Sequence, residues 1–177
     1  MTKRPGTDEY ASYYENYVRQ VPEGDILEQL KGNFEPMITY WSSLSEEQAL
    51  YRYGADKWSL KEVLGHIVDT EAIMSYRLLR IARGDTTQLA GFDQDPYIPT
   101  AMFDSVPLPD LIERYESTRR STLSLLRTLP EEAWSRRGNA NGKDVTVNAL
   151  AYIIAGHELH HMNVIKERYT LSGLTSE

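Results

Sequence analysis

Leu150-Ala151-Tyr152-Ile153-Ile154-Ala155-Gly156-His157-Glu158-Leu159-His160-His161-Met162-Asn163-Val164-Ile165 is the stretch on which the fold turns. Leu150, Ile154, His157, His161 and Ile165 recur at steps of four, three, four and four, the stripe of an α-helix rather than the face of a strand. The spacing predicts a helix from about Thr146 to Tyr169, with two histidines interrupting an apolar seam. His157 and His161 project from one face a turn apart, the i, i+4 arrangement with which paired imidazoles grip a metal. His160 stands three residues from His157, and an i, i+3 pair can also converge. Spacing alone favours His161, which stays nearer the centre of the stripe.

Working outward, three further long helices are expected. One starts at Asp25, a capping residue with Glu28 placed to reach back, and carries Leu27, Leu30, Phe34, Met37, Ile38 and Trp41 at helical steps. Pro36 should kink or divide it. Ser45 with Gln48 proposes a brief second start. The next long helix opens on the Ser59/Glu62 capping-box pattern, runs through Val63, Leu64, Ile67, Met74, Leu78 and Ile81, and stops at Gly84. His66 lies at the edge of its apolar stripe. Residues 85–107 read as an irregular connection, long enough to suggest a role in a site. A helix from about Pro109 to Thr128 follows, ended by Pro130, and then a polar loop from Arg136 to Asp144. With no strand pattern in view, the expected class is all-α, a four-helix bundle.

The expected organisation is an N-terminal arm over residues 1–24, a bundle domain over 25–170 and a tail over 171–177. Tyr10, Tyr13, Tyr14 and Tyr17 give the arm an aromatic stripe that should pack on the bundle or on a partner subunit. The chain has 177 residues, 26 acids against 19 bases and no cysteine. A formal charge of −7 disfavours nucleic acid, and Arg119–Arg120 and Arg136–Arg137 read as solvated. The lack of cysteine removes thiolate ligands and a cysteine nucleophile. No apolar run approaches membrane-spanning length, and the first residues lack a secretory pattern, so the expectation is a cytoplasmic protein without membrane contact.

Three histidines on two helices can close a facial triad that leaves positions for water or substrate. Each can equally be a satisfied polar residue. A non-metal use of histidine as general base is a further alternative. Glu62, Asp69 and Glu158 stand near them in sequence and are candidates to orient the free ring nitrogens. Arg77, three turns beyond His66 and near its face, is a candidate to hold a carboxylate.

The string Lys57-Trp58-Ser59-Leu60-Lys61-Glu62-Val63-Leu64-Gly65-His66-Ile67-Val68-Asp69 resembles the second helix of the DinB-like superfamily. Arg80-Ile81-Ala82-Arg83-Gly84-Asp85 and Gly91-Phe92-Asp93-Gln94-Asp95 extend the likeness into the following loop, and Ala151 to His161 resembles that family's last helix. The likeness covers about residues 25 to 170 and leaves the tyrosine arm outside. It implies a four-helix bundle, commonly a homodimer, with a divalent metal, zinc or nickel, on His66, His157 and His161. It also implies a small-molecule substrate. The family's activities include transfer of low-molecular-weight thiols such as bacillithiol or mycothiol, a mycothiol-dependent isomerisation, and metal-dependent hydrolysis. Thiol transfer to an electrophile is the first expectation. Hydrolysis and a non-catalytic metal-binding bundle are its rivals.

Overall fold

Side-chain caps start three of the four long helices, and the fourth begins directly after Pro107. The computed structural model describes residues 3–169, so the expected tail lies outside the described residues. After a 3-10 turn at Ser12–Tyr14, a single helical turn, α1, spans Glu15–Val18. Helix α2 spans Ile26–Ser42, with the Asp25 carboxylate accepting from the Leu27 amide at 3.0 Å. Glu28 is paired with Lys31 at 2.7 Å. Both α3 (Glu46–Ala49) and α4 (Leu60–Ala82) open on reciprocal capping boxes, Ser45 with Gln48 and Ser59 with Glu62. Such a cap contributes about 1 kcal/mol. Gly84, at φ +79°, ends α4 in a conformation that side chains resist.

The connection that follows is less irregular than expected, holding α5 (Tyr97–Ala101) and a 3-10 turn at Phe103–Ser105. Helix α6 spans Leu108–Arg127. Two strands, β1 (Arg137–Ala140) and β2 (Lys143–Thr146), pair antiparallel, and α7 spans Val147–Arg168 with Thr146 capping the Ala149 amide. Helices α2, α4, α6 and α7 form the bundle: α4 packs on α6 and α7, and α2 packs on the same two.

One expectation fails here and another is narrowed, each for a local reason. The segment read as a polar loop is a hairpin: Asn141 and Gly142 take φ +54° and +70°, the two-residue turn whose twist matches paired strands. Four-residue strands are too short to show alternation. The hairpin also holds the long connection, because Leu89 exchanges amide bonds with Asn139 and Asn141 at 2.9 and 3.0 Å. Of the two outcomes expected at Pro36, a kink or a division, the structure excludes the division, since α2 runs through it. Pro36 and Gly32, whose carbonyl the missing amide would have met, both lie on the exposed face, where water can satisfy that oxygen.

The core consists of two apolar clusters, one with Leu30, Leu78, Leu126 and Ile154, the other with Trp41, Leu64, Leu111 and Ile165. Each such side chain contributes about 1.5–3 kcal/mol on burial. On α4, α6 and α7 the clusters give way to each other at Glu71, Arg119 and His157–Glu158, all buried. A polar layer therefore crosses the middle of the bundle.

The arm packs on that layer from outside. Arg4 donates to the Val18 and Val21 carbonyls at 2.6 Å each, closing the arm on itself, and α1 lies along α7. The approach needs glycine: a Cβ at Gly156 would collide with the Tyr17 carbonyl.

Candidate metal centre

His66 lies in the second turn of α4, where its surroundings fix the ring. The Ser59 cap sets the start of the helix, the Trp58 ring stands 4.9 Å from the imidazole, and Gly65 lets Phe103 close over the backbone. A Cβ at Gly65 would meet that ring at 2.5 Å. His157 and His161 come from the middle of α7, one turn apart, as their spacing predicts.

The three rings meet. His157 Nε2 is 2.9 Å from His66 Nε2 and 3.1 Å from His161 Nε2, and one nitrogen of each ring lies within 4.8 Å of the others. Nitrogens each about 2 Å from a shared ion stand about 3 to 3.5 Å apart, so the two separations from His157 suit a common cation. Burial disfavours the charged form of all three: His66 is lowered to about 4 and His161 to about 3, and His157 falls well below the ordinary value, with His161 and His66 adding to the effect. Neutral rings with nitrogen lone pairs turned inward are what a divalent ion requires. His160 does not join them. Its Nδ1 stands 3.5 Å from Gln20 Nε2, and its ring packs against Tyr17.

The carboxylates proposed to orient the rings are engaged elsewhere. Glu62 closes the Ser59 cap and pairs with Arg52 at 2.6 Å, and Asp69 pairs with Arg114 at 2.5 Å. Glu158, one residue from His157, faces away from the triad toward Arg119. This overturns the reading of Arg119 as solvated: its guanidinium is fully buried, donating to Glu71 Oε2 at 2.9 Å and Glu158 Oε2 at 2.6 Å. Tyr115 Oη donates to the same Glu158 oxygen at 2.8 Å. Arg120 does lie outside, paired with Glu116. Arg136 and Arg137 sit at the surface but are tied down, to the Ala82 carbonyl and to Asp8 respectively.

Two cavities flank the triad. One, of about 310 Å³, is lined by Tyr14, Tyr17, Thr70, Arg77 and Phe92 and reaches His157. Another, of about 220 Å³, is lined by Asp56, Lys57, Trp58, His160 and Tyr169 and reaches His161. Arg77, expected near the face of His66, lines the first. Thr70 and Tyr17 were not expected there. Thr70 stands one turn after His66 on the same helix face, a relation visible in the spacing, whereas the edge-on contact of Tyr17 with the His157 ring, at 5.4 Å, depends on how the arm folds back. Tyr10, Tyr14 and Tyr17 thus pack on the bundle, one of the two alternatives held, whereas Tyr13 is exposed.

Comparisons with known proteins agree with this architecture. A protein of Oceanobacillus iheyensis, provisionally named a metal-dependent hydrolase, is 25% identical over 156 residues, which span 83% of this chain and 89% of its own. The structure of YfiT from Bacillus subtilis, described as a probable metal-dependent hydrolase with an unusual four-helix bundle topology, superposes with a TM-score of 0.67 at 13% identity, covering 94% of this chain and 91% of that one. The mycothiol-dependent maleylpyruvate isomerase superposes with a TM-score of 0.63 at 13% identity over 77% of this chain and 58% of that longer one. Residues 29–165 match the model of the DinB superfamily, and the chain belongs to that family.

Proposed function

We propose that this protein is a metal-dependent enzyme that joins a low-molecular-weight thiol to an electrophilic small molecule, with a divalent ion, zinc or nickel, held by His66, His157 and His161. An all-imidazole donor set suits those ions, and three protein ligands leave room for a substrate atom. When bound, the metal lowers the pKa of a coordinated thiol or water, supplying a nucleophile near neutral pH. The carrying observation is that neither cavity offers an unpaired carboxylate among the described residues: the one beside His157 has none in its lining, and Asp56, in the one beside His161, is paired with Lys57 at 2.7 Å. A water nucleophile gains from a neighbouring general base, whereas a thiol held by a metal ionises without one.

In the net reaction a carbon–sulfur bond forms, the bond from that carbon to its leaving group breaks, and the thiol proton departs with the leaving group. The chain keeps the three rings neutral by burial, and Tyr17 holds the His157 ring edge-on. Tyr14 and Phe92 wall the electrophile from water. Hydrolysis is the second reading, favoured by the names of the Oceanobacillus and Bacillus proteins.

The test is an assay of zinc- or nickel-loaded protein with low-molecular-weight thiols and a chromogenic electrophile. Thiol- and metal-dependent turnover that His161→Ala abolishes is expected. Ester cleavage that needs the metal but no thiol would replace this reading with the second.

A further inference from the structure

Among the described residues, Arg77 is a buried cation without an anion. Its residue is 3% exposed, yet among the described residues no carboxylate pairs with it. Its guanidinium donates to the Ala90 carbonyl at 2.7 Å, touches Met74 Sδ at 3.6 Å, lies 5.3 Å from the centre of the Phe92 ring and faces the Tyr14 phenol. The contrast is Arg119, equally buried and matched by two carboxylates. A buried, unmatched charge is costly, and a fold that keeps one commonly uses it.

A second observation points into the same space. Thr70 is 4% exposed, and among the described residues its Oγ1 has no hydrogen-bond partner. Thr70 and Arg77 both line the cavity that reaches His157. On α4, Thr70 follows His66 by four residues and Arg77 follows Thr70 by seven, so all three share a face. A Cα rise of about 16 Å separates His66 from Arg77, and the arginine side chain shortens that gap by leaning toward the helix N-terminus.

We infer that the cavity binds an elongated small-molecule carboxylate. The carboxylate accepts two hydrogen bonds from Arg77. A polar atom along its length bonds Thr70 Oγ1, its apolar body lies against Tyr14, Met74 and Phe92, and its far end reaches the histidine triad. This rests on the proposed catalytic site only for the role of that far end. The carboxylate can belong to the thiol or to the electrophile, and the two sources are separable by experiment.

Titration calorimetry on the full chain, with 4-phenylbutanoate as probe and its neutral amide as control, tests the inference. The acid should bind at least tenfold more tightly than the amide. Arg77→Met should abolish that preference, and Arg77→Lys should keep part of it, since the charge remains and the fork is lost. Binding of the acid should persist in His161→Ala, whose turnover is lost. Failure of the acid to bind wild-type protein that still shows metal-dependent turnover would overturn the inference and leave the catalytic reading standing.

Thermal melting distinguishes a ligand-binding Arg77 from a structural one. Arg77→Met should melt at or above the wild-type temperature, because an unmatched charge is removed. A drop of several degrees would assign Arg77 to holding the Ala90 loop and overturn the inference. Turnover assays with paired acid and amide forms of thiol and of electrophile then identify the source: the component whose KM rises in Arg77→Met carries the carboxylate.

Discussion

Glu158 Oε2 accepts from Arg119 Nη2 at 2.6 Å, and neither side chain is reached by solvent. The same guanidinium holds Glu71 of α4, so one cation ties α4, α6 and α7 together beside His157. The charge balance inside this layer decides what each substitution costs. Burial pushes the Glu158 carboxyl up while Arg119 opposes that shift, and the Arg119 guanidinium is held well above its ordinary value.

Arg119→Leu should therefore be severe. It leaves two carboxylates buried with no cation, and removing one partner of a buried pair costs about 3–5 kcal/mol. Urea unfolding monitored by circular dichroism measures it. A loss under about 1 kcal/mol would show that the layer tolerates neutral carboxyls and that Arg119 is not its keystone.

Acid should destabilise the metal-free protein through the triad. His66 and His161 have folded pKa values lowered from 6.5 to about 4 and about 3. The unfolded chain thus takes up protons that the folded one refuses. The stability these rings contribute is present above pH 6.5 and falls as the pH drops toward 4 and then 3, by up to about 1.4 kcal/mol per ring per pH unit. Metal affinity should weaken over the same window, since protons compete for the lone pairs. Urea midpoints at pH 7, 6 and 5 check this, and midpoints that stay level would contradict neutral, buried rings.

Metal binding should stabilise the fold. Zinc or nickel at about a hundred times its dissociation constant adds about 2.7 kcal/mol, which melting with and without chelator will read. His66→Ala, His157→Ala and His161→Ala should each weaken metal binding by more than the 10–100-fold that loss of an outer hydrogen-bonding partner produces. His160→Ala should leave affinity within a few-fold, because its ring lies outside the cluster. Equal losses at His160 and His161 would mean a different ligand set.

Gly156→Ala should displace the arm. The new methyl group meets the Tyr17 backbone, which cannot swing aside as a side chain could. Overpacking of this kind costs about 1–3 kcal/mol, and the arm should become more sensitive to limited proteolysis near Tyr17. Unchanged proteolysis and melting would show that α1 does not rest on α7 in solution.

Helix periodicity made the four long helices legible, and caps such as Asp25 or Ser59 with Glu62, which act within one turn of chain, marked where two of them begin. The i, i+4 histidines were legible for the same reason, His66 joined them as the histidine at the edge of the neighbouring stripe, and the family likeness decided for His161 over His160. The hairpin was legible in principle from Asn141-Gly142, but its strands are too short to announce themselves. Arg119 was not, because its neighbours in sequence, Glu116 and Arg120, are those of a solvated face, and its partners stand 48 and 39 residues away.

By itself, then, the sequence determined what local chemistry decides: where helices begin and end, which stripe each one buries, and which residues can ligate. Only the tertiary structure decided which stripes meet. It placed Arg119 between two carboxylates, left Arg77 with none among the described residues, and laid Tyr17 against His157. Those outcomes depend on which helices share an interface, and burial there turns an ordinary charge or ring into one whose partners, or lack of them, carry an energetic consequence.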